Sequence, residues 1–499
     1  MANTVTGDVV RDERSPPAKR PLDLDLPVIG FVSLIGGLMI AGTPRVFGDG
    51  DVSWHIASGQ WMLAHRLIPQ FDPFSFTALG HRWIAHEWLS ELVIGAAWRL
   101  GGFPAVGLLT IAAVVATLAI AGLWLRRWAS PVELAAALSV LFYALGPFAL
   151  ARPMVLVWPL LAGWLVALLL ARERGDRPPP WWTLGLMILW VNLHASFAVG
   201  ILLAGAFGLE AVIASTDRLR TIGQWALYGA GLVAAAMVNP NGTATLLMPL
   251  SAFASGSITL VQEFRPTDMS YTPSFELALL AVIAVGWWRG ARLAPVRILV
   301  MLAMLHLALV HMRHQTLFLI VGAMVLAPAL TRRWIDQLSP KPPLGEAMEL
   351  SPRGRVGLAV GAVLALALVG AARLAAPFAP EESAIEPTHG FAAIPPVLRG
   401  QPMLNEYSLG GPLILRGIRP YIDGRTDVYG DPFFVDYVKI DHGDAAAFAR
   451  ADRRWHFGWT MLSPRNAALI RLLDRSPEWR RLYSDRFTVI HVKRSALPH

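Results

Sequence analysis

Two carboxylates and an imidazole, Asp49, Asp51 and His55, fall together in Gly48-Asp49-Gly50-Asp51-Val52-Ser53-Trp54-His55. His86-Glu87-Trp88 closes the same stretch of chain. Such groups suit general acid–base chemistry, in which a carboxylate takes a proton from an attacking hydroxyl and an imidazole donates or accepts near neutral pH. More polar groups recur at intervals: Arg152-Pro153, Asn192 with His194, Asn239-Pro240-Asn241-Gly242, Glu263-Phe264-Arg265, and His311, Arg313 and His314. Arginine offers a planar fork of donors that matches a phosphate.

These residues need elements to bring them together, and composition says which. The chain has 499 residues, of which 55% are hydrophobic and 16% charged, with a mean hydropathy of +0.48. A soluble domain carries roughly 25% charged residues. Apolar runs of about 20 residues recur, each long enough to cross a hydrocarbon core of ~30 Å. Backbone groups in lipid must bond within their own segment, so the runs are helices. Spans are expected near 27–44, 103–125, 132–150, 154–171, 181–196, 197–214, 223–239, 275–288, 293–311, 315–330 and 356–374. The fold class is therefore an all-α polytopic membrane protein of about 11 transmembrane helices. A small α/β domain outside the cytoplasm follows them.

The polar segment 1–26 reads as a disordered cytoplasmic tail, 27–374 as the membrane domain, and 45–102 as its first outer loop. Alternation from a cytoplasmic tail places Arg126 and Arg127, Arg172, Arg174 and Arg177, Arg218 and Arg220, Arg289 and Arg292, and Arg332, Arg333, Lys341, Arg353 and Arg355 inside. That is the positive-inside pattern. It puts every polar group named above at the outer face, with residues 375–499 beyond it. The expected location is the cytoplasmic (inner) membrane, multi-pass. In the outer loop, Val52–Arg66 reads as amphipathic with Trp54 and Trp61 at the interface, and 87–100 as a helix lying on the surface. Gly411–Leu415, Tyr421–Asp423 and Phe487–Val492 alternate like strands, and Asp444–Arg453 and Arg465–Asp474 look helical.

The absence of cysteine excludes disulfides, thiolate metal sites and cysteine nucleophiles. The net charge of +8 sits in short loops where it sets orientation, so no nucleic-acid partner is expected. One reaction that fits is glycosyl transfer from a polyprenyl phosphate, with membrane lipids around the carrier and an envelope glycan, lipid or protein as acceptor. Asp51 or Asp49 is the candidate base. Arg152, Arg313, Arg265, Arg45, His311 and His314 are candidates for the donor phosphate. His55, Asp72, His86, Glu87, Asn192 and His194 are candidates for sugar or acceptor. No metal site is expected: His55, His86 and Glu87 are compatible with a divalent ion but follow no established ligand spacing.

The outer loop also carries Asp49-x-Asp51, Gly59-Gln60-Trp61, Ile68-Pro69-x-x-Asp72-Pro73-Phe74-Ser75, Gly80-His81-Arg82-Trp83 and His86-Glu87-Trp88-Leu89. With these pieces it resembles the corresponding loop of GT-C fold glycosyltransferases, which take sugars from polyprenyl-phosphate carriers, including relatives of the protein O-mannosyltransferases and lipid A aminoarabinose transferases. Ala151-Arg152-Pro153, Trp190-Val191-Asn192-Leu193-His194, Asn239-Pro240-Asn241-Gly242 and Tyr421–Gly430 extend the resemblance over most of the chain. It implies a GT-C fold, an inverting lipid-linked sugar transferase and an aspartate base at Asp51 or Asp49. The chain departs from the pattern at His86-Glu87-Trp88-Leu89, where many relatives have a Pro-Pro pair.

Each residue also has a structural alternative. Asp49 and Asp51 suit helix caps, Arg152 suits the headgroup region, His194 suits a bond to a neighbouring helix, and Asn239–Gly242 suits a helix stop. Asp423 and Arg425 suit an ion pair that holds a turn. Two other functions compete with transfer: a sugar-lipid transporter or flippase, and a non-catalytic envelope scaffold. Coupled transporters bury charge at mid-membrane, whereas here the span centres are almost free of it.

Overall fold

The computed structural model describes residues 24–254, 264–331, 352–375 and 378–497. The amino-terminal tail up to residue 23, Glu263 and the basic residues Arg332, Arg333 and Lys341 lie outside them. The membrane body comprises α1 (Asp25–Ala41), α2 (Asp51–His65), α3 (Trp88–Leu125), α4 (Pro131–Leu145), α5 (Pro153–Glu173), α6 (Leu184–Leu193), α7 (Phe197–Ala214), α8 (Arg218–Ala236), α9 (Thr243–Ala254), α10 (Pro273–Arg289), α11 (Pro295–Val310), α12 (Gln315–Thr331) and α13 (Pro352–Ala375). A helix overlaps each run expected to span. Among the described residues, five helices are long and apolar enough to cross a membrane: Trp88–Leu125, Pro131–Phe148, Pro153–Glu173, Phe197–Ala214 and Met312–Leu330. Asp25–Ala41, Trp181–Leu193, Pro295–Val310 and Val360–Arg373 are apolar but shorter.

Local chemistry sets the helix ends. Ser130 and Glu133 form a reciprocal capping box ahead of α4, with Pro131 at the first helical position. α3 breaks at Gly101 and Gly102, where Gly102 has φ 59°, so the segment 88–100 and the long apolar run after it are distinct pieces of helix. α5 runs through the centre of the bundle and packs against α3, α6, α7 and α12. Trp158, Trp164 and Trp190 are fully buried there.

The helix ends sort into two groups. At one end Arg126 approaches Asp25, Arg127 pairs with Glu173, Arg289 with Glu133, and Glu210 receives both Arg172 and Arg297. At the other end α1, α6, α8 and α11 finish and α5 and α12 begin, bringing Asp49, Arg152, Asn192, His194 and Arg313 to one level. The Asn192 side chain, for example, donates to the Val238 carbonyl just past α8 at 2.9 Å. Simple alternation of helix direction produces both networks.

Two expectations are corrected. α2 does not offer Trp54 to a membrane interface, because that side chain is buried. Every residue from Val52 to Gly59 is buried, and α2 is clasped between α3 and the outer domain. Gly59 and Gly95 permit this, because a Cβ on Gly59 would stand 2.0 Å from the Glu91 carbonyl oxygen. The other correction is in the outer domain, which has a sheet of β1 (Met403–Asn405), β2 (Trp459–Leu462), β3 (Trp479–Ser484) and β4 (Val489–Lys493) in the order β1-β2-β4-β3. β1 and β2 are parallel and the other pairs antiparallel. Around it lie α14 (Thr388–Ala392), α15 (Gly410–Leu415), α16 (Thr426–Tyr429), α17 (Asp431–Asp441), α18 (Ala445–Trp455) and α19 (Ala467–Arg475). Gly411–Leu415 is thus helical, and Tyr421–Asp423 is no strand, because the Asn405 side chain accepts from the Tyr421 N–H in place of a ladder partner. Phe487–Val492 does supply β4, and the two helical expectations correspond to α18 and α19.

Candidate active site

The turn after α1 begins the site. A short 3-10 helix (Pro44–Phe47) leads to Gly48, and the Asp49 carboxylate accepts the Asp51 N–H at 2.8 Å. Asp49 is therefore a turn cap through one oxygen. Its other oxygen accepts from Arg152 at 2.8 Å, and the second arm of the Arg152 fork reaches Asp51 at 2.9 Å. The sequence places Arg152 there for two local reasons. Pro153 holds the preceding residue extended (φ −119°, ψ 159°), and the Ala151 N–H donates to the Val46 carbonyl at 2.9 Å. Trp54, one turn into α2, donates its indole N–H to Asp51 at 3.0 Å. Arg152 keeps 19% exposure, so this patch is recessed yet reachable.

A second patch sits beside it. Glu87 has the His194 Nε2 at 3.3 Å, the His86 Nε2 at 3.6 Å and the His55 Nε2 at 3.9 Å. His55 also faces Glu91 through Nδ1 at 3.4 Å. Glu91 accepts from the Ser58 hydroxyl at 2.6 Å. Burial pushes the His55 imidazole down to about 3, with Glu87 opposing the shift. The Ser196 N–H donates to the His194 Nδ1 at 3.0 Å. That leaves the proton of the neutral ring on Nε2, pointing at Glu87. Trp88 fixes Asn192 through a 2.8 Å bond to its side-chain oxygen, and the Ser90 hydroxyl donates to the Leu193 carbonyl at 2.8 Å.

A basic patch lies in the turn between α11 and α12. Arg313 lies over the Phe264 ring, 4.4 Å from its centre. His311 bonds the Phe264 carbonyl at 2.7 Å, and its ring centre is 5.6 Å from that of His314. The Arg265 carbonyl accepts the Met312 N–H at 3.1 Å, and the Arg265 side chain is exposed. Acid, imidazole and guanidinium patches thus share one end of the bundle, with His194 between Glu87 and Arg313.

Other expected residues serve the architecture. Asp72 is buried, accepts from Phe74 and Ser75, and takes Arg425 at 2.7 Å. Arg425 simultaneously holds Asp423 at 2.6 Å and lies over the Phe74 and Trp83 rings. The Asp423–Arg425 alternative is thus realised as a fully buried ion pair, with Asp72 as its third member rather than a group lining the recess. Asn239–Gly242 is a helix stop: the Asn239 amide donates to the Ala236 and Gly242 carbonyls. Arg45 is exposed in the short helix after α1.

Glu91, Ser58 and Trp54 were not expected here. Glu87 caps α3 and Glu91 lies in its first turn, four residues on, a spacing that puts both carboxylates on one side. That signal was present in the sequence.

At Gly424 and Gly411 the outer domain meets the aspartate turn through its backbone. A Cβ on Gly424 would stand 1.8 Å from the Asp51 carboxylate, and one on Gly411 would stand 2.0 Å from the Gly50 carbonyl oxygen.

No family model matches the chain, and no curated protein matches it. Among solved structures it is similar to the oligosaccharyltransferase AglB from Archaeoglobus fulgidus in complex with an inhibitory peptide and a dolichol-phosphate. That match has 13% identity and a TM-score of 0.57, covering 88% of this chain and 69% of that one. It is also similar to the apo form of the Archaeoglobus fulgidus oligosaccharyltransferase, at 11% identity and a TM-score of 0.50 over the same shares of both chains. At such identity the likeness shows a shared fold and nothing of activity.

Proposed function

We propose that this chain is an inverting glycosyltransferase that moves a sugar from a polyprenyl-phosphate carrier to an acceptor outside the cytoplasm. The observation that carries the reading is the bridged pair Asp49–Arg152–Asp51 beside the His194–Glu87 contact, at one end of a GT-C bundle. A neighbour of the same fold, AglB, was solved with a dolichol-phosphate, which supports a lipid-linked donor. The topology that goes with this reading has about eleven spans, a cytoplasmic amino terminus, and the outer domain beyond the cytoplasmic membrane.

The chemistry is a single displacement. The acceptor hydroxyl gives its proton to Asp51 or Asp49 as its oxygen bonds to the anomeric carbon. The bond from that carbon to the phosphate oxygen breaks, and the phosphate leaves with the electron pair. Arg152 stands beside the base, and Arg313, Arg265, His311 and His314 supply positive or donating groups further along the same end. His55, His86, Glu87, Asn192 and His194 line the acceptor or sugar side.

The test uses purified protein in nanodiscs with a polyprenyl-phosphate sugar and single-turnover readout. Asp51→Asn and Asp49→Asn are made separately. The base variant loses about 10²–10⁴ in rate. If both variants keep full turnover, neither carboxylate is the base. If sugar-lipid crosses a liposome bilayer without any transfer, the transporter reading replaces this one.

A further inference from the structure

The group formed by His55, Glu87 and Glu91 stands apart from the bridged aspartates, and hydrogen bonding does not account for it. His55 and Glu91 are each 1% exposed. The His55 Nδ1 is buried without a hydrogen-bond partner, although it points at Glu91 from 3.4 Å. Nitrogen–oxygen hydrogen bonds between charged groups close to about 2.7–2.9 Å. The approaches within this group are longer, 3.4 Å from the His55 Nδ1 to Glu91 and 3.9 Å from its Nε2 to Glu87. A tetrahedral ion with ligand bonds of about 2.0–2.1 Å sets its donor atoms about 3.3 Å apart. One donor atom each from His55, Glu87 and Glu91 lies within 4.8 Å of the other two. Glu87, at 12% exposure the least confined of the three, has room to complete the set.

From this we infer that His55, Glu87 and Glu91 form a binding site for a divalent transition ion of the zinc type. An imidazole with carboxylates selects zinc or manganese over magnesium, which prefers oxygen ligands and keeps its water. The surroundings meet the demands of such a site. The Ser58 hydroxyl holds the second Glu91 oxygen at 2.6 Å. His194, its tautomer set by Ser196, stands 3.3 Å from the Glu87 oxygen that faces it. Outer partners of this kind orient metal ligands. Glu91 comes from the first turn of α3, Glu87 from the residue that caps it, and the imidazole from α2, so the ion would join those two helices where the Gly59–Gly95 crossing already brings them together.

The measurement needs no sugar donor, so it stands or falls separately from the transferase reading. Detergent-purified wild type, stripped with chelator, is titrated with Zn2+ and with Mg2+ by calorimetry, and its retained metal is counted by mass spectrometry. The expected result is one Zn2+ per chain, a higher melting temperature with Zn2+ than without, and no comparable response to Mg2+. His55→Ala and Glu91→Gln each weaken Zn2+ binding by at least tenfold, whereas Asp49→Asn leaves it within twofold. The inference is overturned by a wild type that takes up no Zn2+, and equally if Asp49→Asn abolishes uptake while the other two variants retain it. Should the buried variants fail to fold, zinc-edge X-ray absorption on the wild type decides. A first shell of oxygen and imidazole nitrogen sustains the site, and a shell without imidazole ends it.

Discussion

At the scale of single residues, the site depends on one guanidinium touching two carboxylates. Lysine carries the same charge on a single point and cannot span both. Arg152→Lys should therefore lower kcat by about 10-fold or more while the fold survives, since misplaced catalytic groups cost on the order of 10²-fold; steady-state kinetics against the donor would show it, and an unaltered kcat would mean that the bridge is dispensable. Gly59 is a second such point. An alanine there must push α2 off the Glu91 carbonyl, and overpacking of this kind costs about 1–3 kcal/mol. A lowered melting temperature in detergent is the expected readout. Much of this scale was legible beforehand. Asp49, Asp51, Arg152, Glu87 and His194 all stand out as polar residues at the ends of apolar runs, and alternation of helix direction suffices to gather them. Glu91 was not picked out, because in EWLSEL it reads as one polar residue in a mostly apolar helix. Asp72 was assigned to the substrate because nothing in its own segment reveals Arg425, which comes from the far end of the chain.

At the scale of elements, the end of α6 is pinned to the start of α3 by the Trp88–Asn192 and Ser90–Leu193 bonds. Trp88→Phe removes one donor and leaves the Asn192 oxygen seeking water, which costs about 1–2 kcal/mol. A denaturant midpoint shift reports it. Burial in the outer sheet lowers the titration of His491, against the pull of Asp474 at 2.8 Å. The sign follows directly: a folded value below the unfolded one, about 6.5, means that stability is complete above that pH and is lost as pH falls through the folded value. His491→Gln should flatten the pH dependence of outer-domain melting below about pH 6.5; melts at stepped pH with an unchanged slope would count against it. The sheet itself was the least legible element. β2 is buried on both faces along its whole length, so it shows none of the alternation that marks a half-exposed strand. Gly411–Leu415 did mimic that alternation, yet it folds as a helix against α2.

At the scale of the whole molecule, the buried set Asp72–Arg425–Asp423 ties the outer loop to the outer domain. Removing the cation strands two buried carboxylates, a change that costs about 3–5 kcal/mol. Arg425→Met should therefore expose the linker near residues 378–387 to limited proteolysis well before the helices melt, and equal protease resistance in variant and wild type would show that the domains hold without it. One further consequence follows from Gly424 and Gly411. Where backbone meets carboxylate and carbonyl with no side chain between, there is no adjustable material left to absorb a change in shape. An outer domain grafted from another protein would need main chain at the same height as well as a matching surface, or it would tilt the aspartates out of line. Descent with altered acceptors is then confined to loops away from this contact, and the floor of the recess and its roof must change together or stay as they are.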